Sequence, residues 1–277
     1  MLAALIIVFR EVFEAGLIVG IVLAVTRTVP HRNAWIGGGL LVGILAACVV
    51  AVFAGALSNL FAGMGQELFN ATILGVAVVM LTWHNVWMAR HGSELAGELR
   101  AAGQAVVEGS KSLLALAIVV GVAVLREGSE VVLFLYGVLA GGDDSAASVA
   151  LGGFAGLALG AAVCMLTYFG LVRIPMRALF ATTTVLIALL AAGMAAQAAS
   201  FLEKANWLTL MDNVVWDSSW ILSDSSFPGR ALHTLIGYTD QPTAMQLTVY
   251  LAILAVTFVL MRLYGSPAKA VAPAPAA

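Results

Sequence analysis

The sequence predicts an all-α integral membrane protein: seven transmembrane helices, arranged as two inverted three-helix repeats plus one extra helix. Three observations carry this. Of 277 residues, 62% are hydrophobic and only 10% are charged, against about 25% charged in soluble domains. Apolar runs long enough to cross a bilayer, which takes about 20 residues, occur seven times: near 2–25, 35–61, 69–89, 112–139, 148–171, 178–202 and 244–264. A charged pattern inside the first run returns inside the fourth, 116 residues later. Backbone polar groups find no water in lipid, so a spanning segment is a helix or part of a closed barrel, and runs this long and apolar are helices.

Span 1 carries Arg10-Glu11-Val12-Phe13-Glu14 in its middle. It lacks a basic leading region and an evident cleavage site, so it reads as a retained helix and not a removed signal. Gly16 and Gly20 on span 1, Gly39 and Gly43 on span 2, and Gly152, Gly156 and Gly160 on span 5 are spaced four apart. Small residues at that spacing let helix backbones approach closely. Span 3 holds His84 beside Trp83, and the stretch 90–111 after it alternates charges and alanine like an amphipathic surface helix. Span 4 carries Arg126-Glu127-Gly128-Ser129-Glu130 and runs into Gly141-Gly142-Asp143-Asp144. The latter reads as a plain turn or as a place where Asp143 and Asp144 receive a cation. After span 6, a loop over about 203–243 interleaves Asp212, Asp217, Asp224 and Asp240 with Trp207, Trp216 and Trp220. That loop is either a solvated, partly helical connection or a funnel in which carboxylates such as Asp217 concentrate cations at the outer mouth. The Pro/Ala-rich segment 265–277 reads as a disordered tail.

The offset of 116 also pairs Leu17 with Leu133, Gly37 with Gly153, Leu41 with Leu157, Cys48 with Cys164 and Phe53 with Phe169. The expected organisation is one seven-helix domain over 1–264, with repeat one at 1–89, repeat two at 112–202 and a last helix at 244–264. Three helices per unit turn the second copy upside down, the arrangement in which transporters place a site near the midplane. Cys48 and Cys164 lack a C-x-x-C partner and are expected to be small buried hydrophobes.

Sorting charges sets the orientation. The loops after spans 1, 3 and 5 and the tail hold Arg27, Arg32, Arg90, Arg100, Lys111, Arg173, Arg177, Arg262 and Lys269. The other side holds only Lys204 and Arg230, among eight acidic residues. The positive-inside rule puts the basic side in the cytoplasm. The chain is therefore expected in the cytoplasmic (inner) membrane as a multi-pass protein, N-terminus outside and C-terminus in the cytoplasm. A net charge of −2 gives no reason to invoke nucleic acid; the partner that composition implies is the lipid bilayer.

The charged motif is the candidate site. An intramembrane charge costs about 2.5–3.5 kcal/mol on insertion scales. Residues three apart share a helix face, so Glu11 and Glu14 point one way, as do Glu127 and Glu130. Arg10 and Arg126 stay protonated and need partners. Two arginines against four glutamates leave two surplus negative charges, which a cation would cancel. Carboxylate oxygens suit hard cations, and glutamates on facing helices can hold iron. The competing reading is structural: each arginine ties up a glutamate and fixes register. Two copies and surplus acid favour the cation site. His84 reads as a hydrogen-bonded neutral histidine, with a proton relay or transient metal contact as the alternative.

These motifs resemble those of the oxidase-dependent high-affinity iron permeases of fungi and bacteria, whose hallmark is R-E-G-x-E in the first and fourth spans. Arg126 to Glu130 match it fully; Arg10 to Glu14 keep the arginine and both glutamates but have Val12 where the pattern has glycine. Leu81-Thr82-Trp83 through Arg90, Trp216-Asp217-Ser218-Ser219-Trp220, Gly237-Tyr238, Pro242, Gln246 and Tyr250 extend the resemblance to about residue 264. It implies a membrane transporter, not an enzyme, with iron as transported substrate and no organic cofactor. It further implies ferric iron delivered by periplasmic or membrane iron-oxidising and iron-delivering proteins. Glu11, Glu14, Glu127 and Glu130 would be the iron ligands, with Arg10 and Arg126 orienting them.

Other classes fit less well. A retinal protein needs a lysine deep in span 7, and none is there. A di-metal oxidoreductase needs histidines beside the glutamates, and only His84 lies within a span. A proton-coupled carrier of another hard divalent cation, such as manganese, remains the alternative.

Overall fold

The computed structural model describes residues 1–61, 66–141, 145–170, 176–224 and 226–264. Eight α-helices run through these residues: α1 (Leu2–Val25), α2 (Arg32–Phe61), α3 (Gln66–Val107), α4 (Leu113–Ala140), α5 (Ala146–Tyr168), α6 (Met176–Lys204), α7 (Phe227–Ile236) and α8 (Ala244–Tyr264). Their only β pairing among the described residues is an isolated bridge between Val214 and Thr243. Five segments are long and apolar enough to cross a membrane: Arg32–Ala56, Glu67–Met88, Ala146–Tyr168, Ala181–Lys204 and Ala244–Tyr264. Helices α1 and α4 match them in length, at 24 and 28 residues, but each carries an arginine and two glutamates at its centre. Asp143, Asp144 and the tail 265–277 lie outside the described residues.

The apolar faces match a lipid setting. Val42, Val49, Val52 and Phe53 on α2 and Leu151, Phe154 and Phe169 at α5 are well exposed, where a soluble protein would seldom present so large a patch.

The most extensive helix pairings join α2 with α4, α1 with α5, and α3 with α6. Glycines permit the first two. A Cβ on Gly39 would strike the Ala117 carbonyl, and one on Gly43 would lie 2.7 Å from the Gly121 carbonyl oxygen. On the α1–α5 side, a Cβ on Gly156 would lie 2.9 Å from the Phe9 nitrogen and one on Gly160 2.9 Å from Val12 Cγ1. Gly16 abuts Cys164, but Gly20 has nothing within 4 Å of its Cβ position, so the span 1 glycine pair packs through one member only.

Three places sharpen or depart from the sequence expectation, the long loop taking the partly helical form that is one of its two readings. The third span and the amphipathic stretch after it form one continuous 42-residue helix. The long loop contains α7, capped by the Ser226 hydroxyl accepting from the Gly229 amide and stopped by Gly237 at φ 70°. Such a left-handed stop suits glycine, which has no Cβ to clash. Cys48 is exposed and Cys164 half-buried, against the expectation of buried cysteines, because Cys48 lines the open groove between α2 and α5.

Start and stop chemistry explains other boundaries. At the head of α8 the Thr243 hydroxyl accepts from the Gln246 amide, while the Gln246 side chain accepts from the Thr243 amide. This is a capping box, and Glu203 at the end of α6 accepts from both side chains. At the α1–α2 turn, Arg32 donates to the Leu23 carbonyl at 2.5 Å, satisfying a terminal carbonyl of α1.

Candidate metal centre between α1, α3 and α4

Helices α1 and α4 lie against each other and α3 packs on both. This brings the two charged motifs together at one depth. Arg10, Glu11, Glu14 and Glu127 are each 3% exposed or less, and His84 on α3 is 5% exposed. The i, i+4 spacing on α1 pairs Arg10 Nε with Glu14 Oε1 at 2.8 Å, and Arg10 also reaches Glu11 Oε1 at 3.6 Å. On α4 the same spacing pairs Arg126 Nε with Glu130 Oε1 at 3.3 Å, with Glu127 Oε1 at 3.7 Å.

Histidine 84 joins the halves. Its Nδ1 contacts Glu130 of α4, and its Nε2 lies 3.5 Å from Glu14 Oε2 of α1. Ligand atoms of Glu11, Glu14 and His84 lie within 4.8 Å of one another, as do those of Glu11, Glu127 and Glu130. Glu11 is common to both groups. The Oε2 atoms of Glu11 and of Glu127 are buried without a hydrogen-bond partner. A buried carboxylate oxygen lacking a donor is costly, and a cation among these groups would remove that cost. Two three-donor groups that share one glutamate can hold a cation, or pass it between them.

Sequence reading found the four glutamates and both arginines, and the structure brings all six together. His84, read as a hydrogen-bonded neutral histidine with metal contact as the alternative, has carboxylate neighbours from two different helices. The sequence assigns three other α3 residues no role in the site, Trp87 and Met88 entering only through the third-span resemblance and Asn85 not singled out. Trp87 lies under the Arg126 guanidinium, 4.4 Å from its centroid, Met88 Sδ is 3.6 Å from Arg126 NH2, and Asn85 is buried with Oδ1 unpartnered. The sequence signals were the third-span resemblance over Leu81 to Arg90 and their spacing beside His84 on one helix.

The Val12 departure has a steric counterpart. Val12 packs where Gly160 of α5 leaves room, while Gly128 faces Ala47 of α2. The bulk absent at Gly128 and present at Val12 is compensated on the neighbouring helix.

Two dry layers enclose the cluster. Toward the N-terminal end of α1 lie Ile7, Leu81, Phe134, Ile187 and Met194. Toward the other end lie Ile18, Val22, Leu116, Val120 and Val124. From the side, a groove of about 410 Å³ between α2 and α5 reaches Glu11 and Glu127 through apolar walls that include Ile44 and Phe154.

Asp217 stands apart from the cluster, fully exposed. Its Oδ1 accepts from the Ser219 amide and hydroxyl and its Oδ2 from Gln241. The Ser219 bonds hold its carboxyl below the usual range. Asp224 is raised, chiefly by burial, within its paired backbone bonds to Asp240. Nearby, a polar cavity of about 210 Å³ is lined by Gln197, Lys204, Asp224, His233 and Gln246.

Comparison with known proteins places the chain in a family. The profile of the "Iron permease FTR1 family" matches residues 1–267. The chain is 32% identical to the ferrous iron permease EfeU of Escherichia coli O6:H1 over 278 residues, covering 97% of this chain and 99% of that one. It is 31% identical to the EfeU of Shigella sonnei, over 97% and 99% of the two chains. It is 30% identical to the EfeU of Yersinia pestis, over 94% and 93%. No solved structure matches. With a family match over nearly its full length, the chain belongs to the iron permease FTR1 family.

Proposed function

We propose that this protein takes up iron across the cytoplasmic membrane, the ion passing between the two R-E-x-x-E motifs with Glu11, Glu14, Glu127 and Glu130 as its carboxylate ligands. Arg10 and Arg126 orient those carboxylates and limit the negative charge. The observation that carries this reading is the convergence of both motifs on one buried cluster with unpartnered carboxylate oxygens.

In this reading α1 to α6 and α8 all span the membrane, and α1–α3 and α4–α6 are inverted repeats. The helix pairings support it. Exchanging each helix of one half for its counterpart turns the α1–α5 pairing into α4–α2 and leaves α3–α6 in place, as a two-fold axis in the membrane plane requires. The N-terminus is outside and the C-terminus inside, supported by the basic side of the charge sorting. Iron arrives from periplasmic or membrane proteins that oxidise and deliver it, the ferric reading that the family resemblance implies. The acidic outer side, with Asp143, Asp144 and Asp217, gathers it.

A second reading is that ferrous iron enters directly. It is favoured by the His84 imidazole in the cluster, since imidazole suits divalent iron and carboxylates alone suit harder ions. The relatives above carry that ion in their names.

The test is radio-iron uptake by cells expressing Glu14→Ala or Glu127→Ala. Each variant is expected to reach the membrane at normal level and lose uptake to background; normal uptake by both contradicts the site. Liposome flux of ferric against ferrous iron, with manganese as competitor, separates the readings.

A further inference from the structure

The two nitrogens of His84 have different surroundings. Nδ1 is in direct contact with Glu130 Oε2, the shortest polar contact in the cluster. With its proton on Nδ1, the ring would donate to that carboxylate, which is otherwise buried without a hydrogen-bond partner. Nε2 is buried and makes no hydrogen bond, and it faces Glu14 at 3.5 Å. A ring nitrogen of His84 also falls within 4.8 Å of ligand atoms of both Glu11 and Glu14, and Nε2 is the one that faces Glu14. Glu11 Oε2 and Glu14 Oε2 are likewise buried without hydrogen bonds. One nitrogen lone pair and two carboxylates therefore converge, while the far side of the ring is held by a third carboxylate. Metal-ligating histidines almost always give their other ring N–H to a carboxylate, a carbonyl or water, which fixes the tautomer and aims the lone pair.

We propose that His84 is itself a ligand of the transported cation: its Nε2 completes a three-donor seat with Glu11 and Glu14, and Glu130 of the opposite motif is the positioning residue that holds the ring. This deepens the iron reading above and rests on it. The motifs then play unequal parts at this seat. Glu11 and Glu14 touch the ion, and Glu130 acts on it through the imidazole. Glu11 also belongs to the group with Glu127 and Glu130, so the ion leaves the seat toward Glu127 without losing every ligand at once. One imidazole among carboxylates favours first-row transition dications over magnesium and calcium, which prefer all-oxygen shells.

The experiment uses the purified full-length protein in detergent with one equivalent of Mn²⁺ as spin probe, read by pulsed EPR for coupling to a directly bound ¹⁴N. Wild type is expected to show that coupling. Glu130→Gln is expected to keep it while binding Mn²⁺ about 10–100-fold more weakly, the usual effect of losing an outer-shell partner. His84→Gln, checked by thermal unfolding to be folded, is expected to lose the coupling. A coupling that persists in His84→Gln overturns the assignment, as does its loss in folded Glu130→Gln. Wild-type protein that binds Mn²⁺ with no ¹⁴N coupling also overturns it and leaves the carboxylate site standing. Wild-type protein that binds neither Mn²⁺ nor Fe²⁺ overturns the reading of the site itself.

Discussion

Val12 and Gly160 show how one residue can depart from a motif without breaking it. Val12 Cγ1 occupies space that a side chain at Gly160 would need. In the other half, Gly128 packs near Ala47, and the position 116 residues before Gly160 is Ile44, which lines the same groove as Gly128. Bulk has moved from one helix to its partner. Gly160→Ile alone should therefore destabilise the protein by about 1–3 kcal/mol, the usual cost of overpacking. Adding Val12→Gly should recover much of that loss. Thermal unfolding in detergent of both single variants and the double measures the coupling; simple additivity would contradict the pairing. Nothing in a single sequence reveals this exchange, because it is set by which helices touch. The same holds for His84. Alone on an apolar run it reads as an ordinary satisfied histidine, and only the approach of Glu130 from α4 gives its ring a direction. The glutamates and arginines were legible because charge inside an apolar run is costly wherever the helix packs.

At the level of elements, α3 does more than the sequence implied. It supplies His84 to the cluster and then stacks Trp87 under Arg126, leaving that guanidinium half-buried where Arg10 is fully buried. A cation–π contact of this kind is worth about 0.5–2 kcal/mol depending on desolvation. Trp87→Leu should lower iron uptake several-fold at unchanged membrane level; an unaltered rate would mean that the stack does not position Arg126. The long helices were legible from hydropathy alone. Helix α7 was not: its run Phe227–Ile236 is short and begins Phe-Pro-Gly, and its existence depends on the Ser226 cap and on packing against α6. The tryptophans of the long loop are exposed, Trp220 most of all, which suits residues at a membrane interface.

Over the whole molecule, the cluster lies between two apolar layers. Transport through the proposed site would need one layer to open at a time, in the manner of repeats rocking about a fixed midplane site. Orientation is tested by cysteine labelling. With Thr209→Cys, a membrane-impermeant maleimide should react in intact spheroplasts; with Lys111→Cys it should react only after the membrane is broken. The reverse pattern would invert the topology. The unity of the site is tested most directly by radio-iron uptake into proteoliposomes bearing Glu14→Gln, Glu127→Gln or both. Residues that act as a unit lose activity non-additively. Each single variant is predicted to fall to background, with the double no worse. Substantial uptake by either single variant, with a further drop in the double, would mean that the two motifs serve separate paths and would contradict the account.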